Sequence, residues 1–176
     1  MKSPSNLLII TASNGENLLL AKKFQVIGTR LSNNTELIDL TVVDLPIFNP
    51  RNKIPEDQKR NLSKLHDQLN TFSHWVICAP EYNGSIPPIL TNAIAWLSME
   101  GQDFRTLFNG RPIALASYSG GNCMSLLISL RIQLSHLGAQ VLGRQLTSNK
   151  EKEGSDKSIK EIVNLLLQME PLRPQE

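Results

Sequence analysis

Three short segments carry the residues best suited to holding a ligand. The first, Thr11-Ala12-Ser13-Asn14-Gly15-Glu16-Asn17, alternates hydroxyls and amides around one glycine. Between a strand and a helix, such a segment offers backbone N–H groups and side-chain donors to an anion, and the helix dipole adds to the attraction. It lacks both the Gly-Lys-Ser/Thr of a triphosphate loop and the G-x-G-x-x-G of a dinucleotide turn. A terminal monoester phosphate suits it better. The alternative is a turn in which Ser13 or Asn14 caps the helix.

The second segment runs Ala79-Pro80-Glu81-Tyr82-Asn83-Gly84-Ser85-Ile86-Pro87-Pro88. Pro80 restrains its start and Gly84 is free to take positive φ. An aromatic here can pack beside a planar ring while the backbone hydrogen-bonds the ring's edge; otherwise the segment is a rigid turn with Tyr82 covering the core. The third, Ala116-Ser117-Tyr118-Ser119-Gly120-Gly121-Asn122, puts two glycines where a ligand can approach the backbone closely. Its alternative is a loop ending in a helix cap at Asn122.

The flanking sequence says what positions these segments. Leu7–Ile10 is a short apolar run that reads as a buried strand. Leu20, Phe24, Ile27 and Leu31 then recur at helical spacing. Glu36–Thr41 is a second strand, followed by a proline-punctuated loop over 42–55. Leu62, Leu65, Leu69 and Phe72 mark a second helix, and Trp75–Ala79 a third strand. A helix over 86–98 starts near Pro87-Pro88, where a first turn tolerates proline. Pro112–Ala116 is the fourth strand. Leu126, Leu127, Leu130, Leu134 and Leu137 line a fourth helix that Gly138 ends. Ala139–Leu142 is the fifth strand, and Ser155-Asp156 opens a last helix carrying Ile159, Ile162, Val163 and Leu166. Strands apolar at every position are buried on both faces, so the sheet is expected to be parallel, with helices on both sides. Ligands of such sheets sit beyond the carboxyl ends of the strands. All three segments fall there.

The totals fit one domain over 1–176, with frayed ends at 1–5 and 171–176. The chain has 176 residues, 40% hydrophobic, and a net charge of +2. With no basic run interleaved with aromatics, nucleic-acid binding is not expected. The run after Met1–Asn6 is too short for a signal sequence or a membrane span. Two cysteines, Cys78 and Cys123, form no C-x-x-C, and no His/Cys cluster has metal spacing. A soluble, unprocessed protein of the reducing cytoplasm is the expectation. Cys78 reads as a packed small hydrophobe, and Cys123 as a thiol open to exposure beside the third segment. His66, His74 and His136 read as surface or boundary histidines, and Trp96 as core or subunit interface.

These residues resemble the NADPH-dependent FMN reductase family, which includes quinone, azo-dye and chromate reductases. Pro80-Glu81-Tyr82-Asn83-Gly84-Ser85-Ile86-Pro87, followed by Leu90, Asn92, Ala93 and Trp96, is the sharpest match. Leu45-Pro46-Ile47-Phe48-Asn49, Ser117 to Gly121, Leu130-Arg131 and Leu137-Gly138-Ala139 extend it. The first segment departs from the family pattern. Thr11-Ala12 replaces its opening Gly-Ser and the family's arginine is absent, while Ser13 and Asn17 stand for its serine and later asparagine.

The resemblance implies a flavodoxin-like three-layer sandwich: a five-stranded parallel sheet in order 2-1-3-4-5 with helices on both faces. It implies bound FMN, NAD(P)H as co-substrate, and a homodimer or homotetramer. Ser13, Asn14, Gly15, Glu16 (by its backbone) and Asn17 would hold the phosphate. Pro80, Glu81, Tyr82, Asn83 and Gly84 would line one edge and face of the ring, and Ser117, Gly120 and Gly121 the other edge. Hydride would pass from NAD(P)H to the flavin and on to a small acceptor in a ping-pong cycle. No side chain is assigned as a catalytic nucleophile or acid, and no metal is expected. The competing readings are a flavodoxin-type electron carrier, which the +2 charge disfavours, and a flavin-free binding module.

Overall fold

A computed structural model describes residues 5–101 and 103–172. The elements run β1 (Asn6–Thr11), α1 (Glu16–Gly28), β2 (Asn34–Asp39), α2 (Glu56–Asn70), β3 (His74–Cys78), α3 (Pro88–Leu97), β4 (Pro112–Tyr118), α4 (Met124–His136), β5 (Gln140–Val141), β6 (Leu146–Ser148) and α5 (Asp156–Leu166). The sheet order is β2-β1-β3-β4-β5, with β6 also on β4, and every pairing between these strands is parallel. The expected order and layering therefore hold.

Side-chain alternation along the strands divides the core in two. Leu8, Ile10, Trp75, Ile77, Ile113 and Leu115 face the layer of α2, α3 and α4. Leu7, Ile9, Val76, Cys78, Ala114 and Ala116 face α1 and α5. Small residues on the second face let Leu20, Phe24, Ile159 and Val163 pack directly on the strands. Each fully buried leucine, isoleucine or phenylalanine contributes about 1.5–3 kcal/mol.

Local chemistry moves several boundaries. The second strand ends at Asp39, before Thr41, because the Asp39 carboxylate accepts from Thr41 N (2.8 Å) and Thr41 Oγ1 (2.7 Å) and turns the chain into a 3-10 helix over Leu40–Val42. The fourth strand runs on to Tyr118 because β6 supplies partners for Ala116, Ser117 and Tyr118. The fifth strand is shorter than expected, Gln140–Val141, and an unexpected sixth, Leu146–Ser148, follows it along β4. Ile113 pairs Val141 and Ala116 pairs Leu146, so two extra residues bulge from the edge. Arg131 holds the bulge, donating from Nη1 to Val141 O (3.1 Å) and from Nη2 to Leu142 O (2.9 Å) and Gln145 Oε1 (3.1 Å).

Two helix ends follow expectation, while α1 stops at Gly28 and α2 at Asn70, short of the expected Leu31 and Phe72, and α3 spans Pro88–Leu97 rather than 86–98. Ser155 caps α5 by accepting from Ser158 N (3.2 Å), and Gly138 follows α4 at φ +87°. Of the ends expected to fray, Ser5 O accepts from Asn33 N (3.0 Å) and Leu172 N donates to Gly110 O (2.9 Å); 1–4 and 173–176 lie outside the described residues. His74 is not a surface residue, at 3% exposure. Its Nδ1 meets Ser73 Oγ (2.8 Å) and its Nε2 meets Met169 O (2.9 Å). Among the described residues no helix is long and apolar enough to cross a membrane.

Candidate functional site

Register brings the three segments together. Thr11 is level with Cys78, and Cys78 with Ala116. One residue on, Ala12 N donates to Cys78 O (3.0 Å) and Ala79 N to Ala116 O (3.1 Å). The three loops thus leave the sheet side by side, from exit points spread over about 10 Å at ordinary strand spacing.

The first loop folds on itself. Thr11 Oγ1 donates to Ser13 O (2.9 Å), and Ser13 Oγ accepts from Gly15 N (3.3 Å). Neither Ser13 nor Asn14 caps α1, which has no side-chain cap at all. Among the described residues the amides of Asn14, Glu16 and Asn17 donate to no protein acceptor. The Asn17 side chain does not line this loop. It is 2% exposed and bonds the backbone of Tyr118 in both directions, at 2.8 Å each. Asn17 can serve an anion here only through its N–H.

The second loop is a hairpin-like turn. Tyr82 N donates to Ser85 O (3.1 Å) and Ser85 N to Tyr82 O (2.9 Å), with Asn83 at φ 51° and Gly84 at φ 68°. Two consecutive positive φ angles make this a tight two-residue turn, for which Asn-Gly is the favoured pair. Tyr82 does not cover the core, being 49% exposed. Pro80 is buried. Glu81 turns to the start of α4, where its Oε2 accepts from Leu126 N (3.0 Å).

In the third loop Ser117 is fully buried. Its carbonyl accepts from Ser148 Oγ (3.1 Å), and its hydroxyl lies beside the Cys123 thiol. Ser119 N donates to Ser148 O (3.1 Å). Around Gly120 and Gly121, the space a Cβ would enter is open to 4 Å. The N-cap position of α4 is Cys123, one residue past the expected Asn122, whose Oδ1 still accepts from Met124 N (3.1 Å). Cys123 is buried at φ 60°, contrary to the exposure expected of it. Burial pushes its thiol pKa up; the nearby Glu81 carboxylate adds to the rise, while the hydroxyls of Ser117 and Ser119 oppose it.

Sequence reasoning missed Tyr118, Ser148 and the Leu126 amide, all of which act through backbone groups or beyond the expected strand ends. The loop after β2 is anchored by two residues of the α3 match. Asn92 accepts from Phe48 N (2.7 Å) and donates to Pro46 O (3.0 Å), which also accepts from Trp96 Nε1 (2.7 Å). Phe48 meets Trp96 edge-on at 5.0 Å. Trp96 is therefore core.

The sheet order and layering describe a flavodoxin-like fold, in which ligands sit at the switch between β1 and β3. The model of the NADPH-dependent FMN reductase family matches residues 5–153, and the chain belongs to that family. FMN as bound cofactor and a nicotinamide nucleotide as co-substrate fit the family. No curated protein matches the sequence. Among solved structures, FerB, a flavoenzyme NAD(P)H:(acceptor) oxidoreductase from Paracoccus denitrificans, is similar at 21% identity and TM-score 0.72, over 94% of this chain and 96% of that one. An FMN-dependent NADH-azoreductase from Bacillus anthracis, solved with FMN, is similar at 16% identity and TM-score 0.63, over 93% and 96%. A flavodoxin from the domain Archaea gives 11% identity and TM-score 0.63, over 93% and 95%. At these identities the likeness shows the shared fold.

The residues present fit FMN. Unpaired amides at an uncapped helix start suit a phosphate, and the open space at Gly120-Gly121 and the exposed Tyr82 ring suit a planar group.

Proposed function

We propose that this chain is an FMN-dependent NAD(P)H oxidoreductase of small acceptors. FMN, when bound, would supply hydride and electron transfer between NAD(P)H and a small acceptor such as a flavin, quinone, azo compound or metal oxyanion. The observation that carries this reading is the alignment of Thr11, Cys78 and Ala116, which sets three ligand-type loops beside the uncapped start of α1.

The chain's own residues bind and orient. Asn14, Glu16 and Asn17 offer their N–H groups to the phosphate. The Ser13 oxygen already accepts from Gly15, so its hydroxyl proton remains to be donated. The Glu16 carboxylate must turn outward, since it would repel a phosphate. Tyr82 and the Asn83-Gly84 turn cover one edge and face of the ring, and Gly120 and Gly121 approach the other edge by backbone. Backbone donors there would stabilise negative charge on the reduced ring. No side chain is required as nucleophile or general acid.

We further propose a homodimer or homotetramer. Met124, Ile128 and Ile132 recur every four residues on α4 and all are exposed, Ile132 to 66%. An uncharged stripe on one helix suits pairing with its own copy.

The test is an anaerobic titration of FMN-loaded protein with NADH and with NADPH. Prompt bleaching of the flavin band supports the reductase. Bleaching only after a partner reductase is added supports an electron carrier. At a hundredfold excess over its Kd, FMN should raise unfolding free energy by about 2.7 kcal/mol; no thermal shift at saturating FMN defeats the reading.

A further inference from the structure

We propose that Glu81 is a positioning residue: a strut that fixes the Tyr82 turn against the start of α4, and thereby the gap between the second and third loops, without touching the cofactor. This rests on the flavin site proposed above.

The start of α4 lacks a complete cap of its own. Cys123 precedes the helix in a left-handed conformation and offers no side-chain cap. Asn122 serves the Met124 amide. The Leu126 amide is served from 45 residues away, by Glu81 Oε2 at 3.0 Å. A carboxylate at a helix N-terminus is favoured by the dipole, and its hydrogen bond to N–H is charge-assisted.

Both ends of the strut are rigid. On one side Pro80 is buried with its φ restrained, and the reciprocal Tyr82–Ser85 bonds close the turn. On the other, Cys123 and Leu126 are fully buried. Among the described residues this is the one side-chain hydrogen bond joining the turn over 79–87 to the chain over 117–126. With its facing oxygen committed to Leu126, the carboxylate acts on bound flavin through geometry.

Four variants test this: E81A, E81Q, E81D and, as a control, S155A, which removes the cap of the distant α5. Two quantities are read: the FMN Kd by fluorescence quenching, and hydrogen exchange at the Leu126 amide in flavin-free protein. E81A is expected to weaken FMN about tenfold, a difference of about 1.4 kcal/mol, and to speed Leu126 exchange. E81Q keeps an acceptor oxygen and should stay within about threefold of wild type in both, given that a neutral hydrogen bond replaces a charged one. E81D keeps the charge but is one methylene short and should weaken FMN; it decides the matter if E81A does not fold. S155A should lower thermal stability and leave FMN affinity unchanged.

An unchanged Kd in E81A, or unchanged Leu126 exchange, overturns the proposal. So does E81Q falling as far as E81A, which would mean the charge acts directly on the ligand. Equal weakening in S155A would reduce the effect to lost stability and overturn it too. If wild-type protein fails to bind FMN, the functional reading falls instead, and Leu126 exchange in E81A against E81Q still decides whether the strut exists.

Discussion

The side chain of Asn17 and the backbone of Tyr118 exchange two hydrogen bonds, each 2.8 Å long, across 101 residues of sequence. The amide group mimics a strand's peptide, so the first turn of α1 completes the ladder at the end of β4. The phosphate-type loop and the third loop are thereby held to one another.

Asn17→Ala should therefore destabilise the fold by about 2–4 kcal/mol, because it leaves a buried N–H and C=O of Tyr118 unpaired. Asn17→Asp should restore only part of that, since it keeps the acceptor and loses the donor. Urea unfolding of the two variants checks the order. Equal stability of all three proteins would contradict the clamp.

Gly121→Val should separate binding from folding. Nothing lies within 4 Å of a Cβ added at Gly121, so stability should stay within about 0.5 kcal/mol, as for a surface change. The valine would project where the ring edge is proposed to lie, and FMN affinity should drop by about tenfold or more, equivalent to about 1.4 kcal/mol. Calorimetry and flavin fluorescence measure the two. Parallel loss of both would assign the glycine to the fold.

Asn83→Val strains a residue held at φ 51°. A β-branched side chain in that conformation costs about 1–3 kcal/mol, and relief comes by opening the Tyr82–Ser85 turn. The expected result is weaker FMN binding with a cooperative unfolding transition retained. Asn83→Gly should leave both near wild type.

Acid should weaken the fold through His74. Its pKa lies below the usual 6.5, chiefly because burial disfavours the charged ring; Arg111 adds to the lowering, while the Met169 carbonyl and Glu170 oppose it. The unfolded chain takes up the proton first as pH falls through about 6.5, so stability drops from there down to the folded pKa and this group adds no slope above neutrality. Unfolding midpoints at pH 7.5 and 5.5 should differ less in His74→Asn than in wild type.

Ile128→Asp tests the proposed pairing along α4. Sedimentation should shift from an assembled species to the monomer with little change in fold, because Ile128 is 51% exposed. A monomeric wild type would dispose of the pairing.

The alternation of apolar strands and amphipathic helices made the layers and the helices legible, and the switch-point rule put the loops in their place. What the sequence hid were partnerships made by backbone atoms. Nothing around Asn17 announces that its amide is taken by Tyr118, and nothing around Glu81 that its carboxylate faces Leu126. Both therefore read as ligand contacts. Leu146–Ser148 is only three residues long and alternates buried with exposed, too short a pattern to declare a strand. Cys123 and His74 misled because exposure depends on packing by distant segments, such as Met169 against the His74 ring. Asn83-Gly84 shows the opposite case, where local steric demands alone determine the turn.

The bulge that Arg131 holds between β5 and β6 bears on behaviour at high concentration. A continuous outer strand would present a regular row of donors and acceptors to any neighbouring chain. Here that row is broken after Val141, and the guanidinium occupies the carbonyls of Val141 and Leu142. A strand from another molecule finds no unbroken template, so this margin of the sheet resists edge-to-edge aggregation.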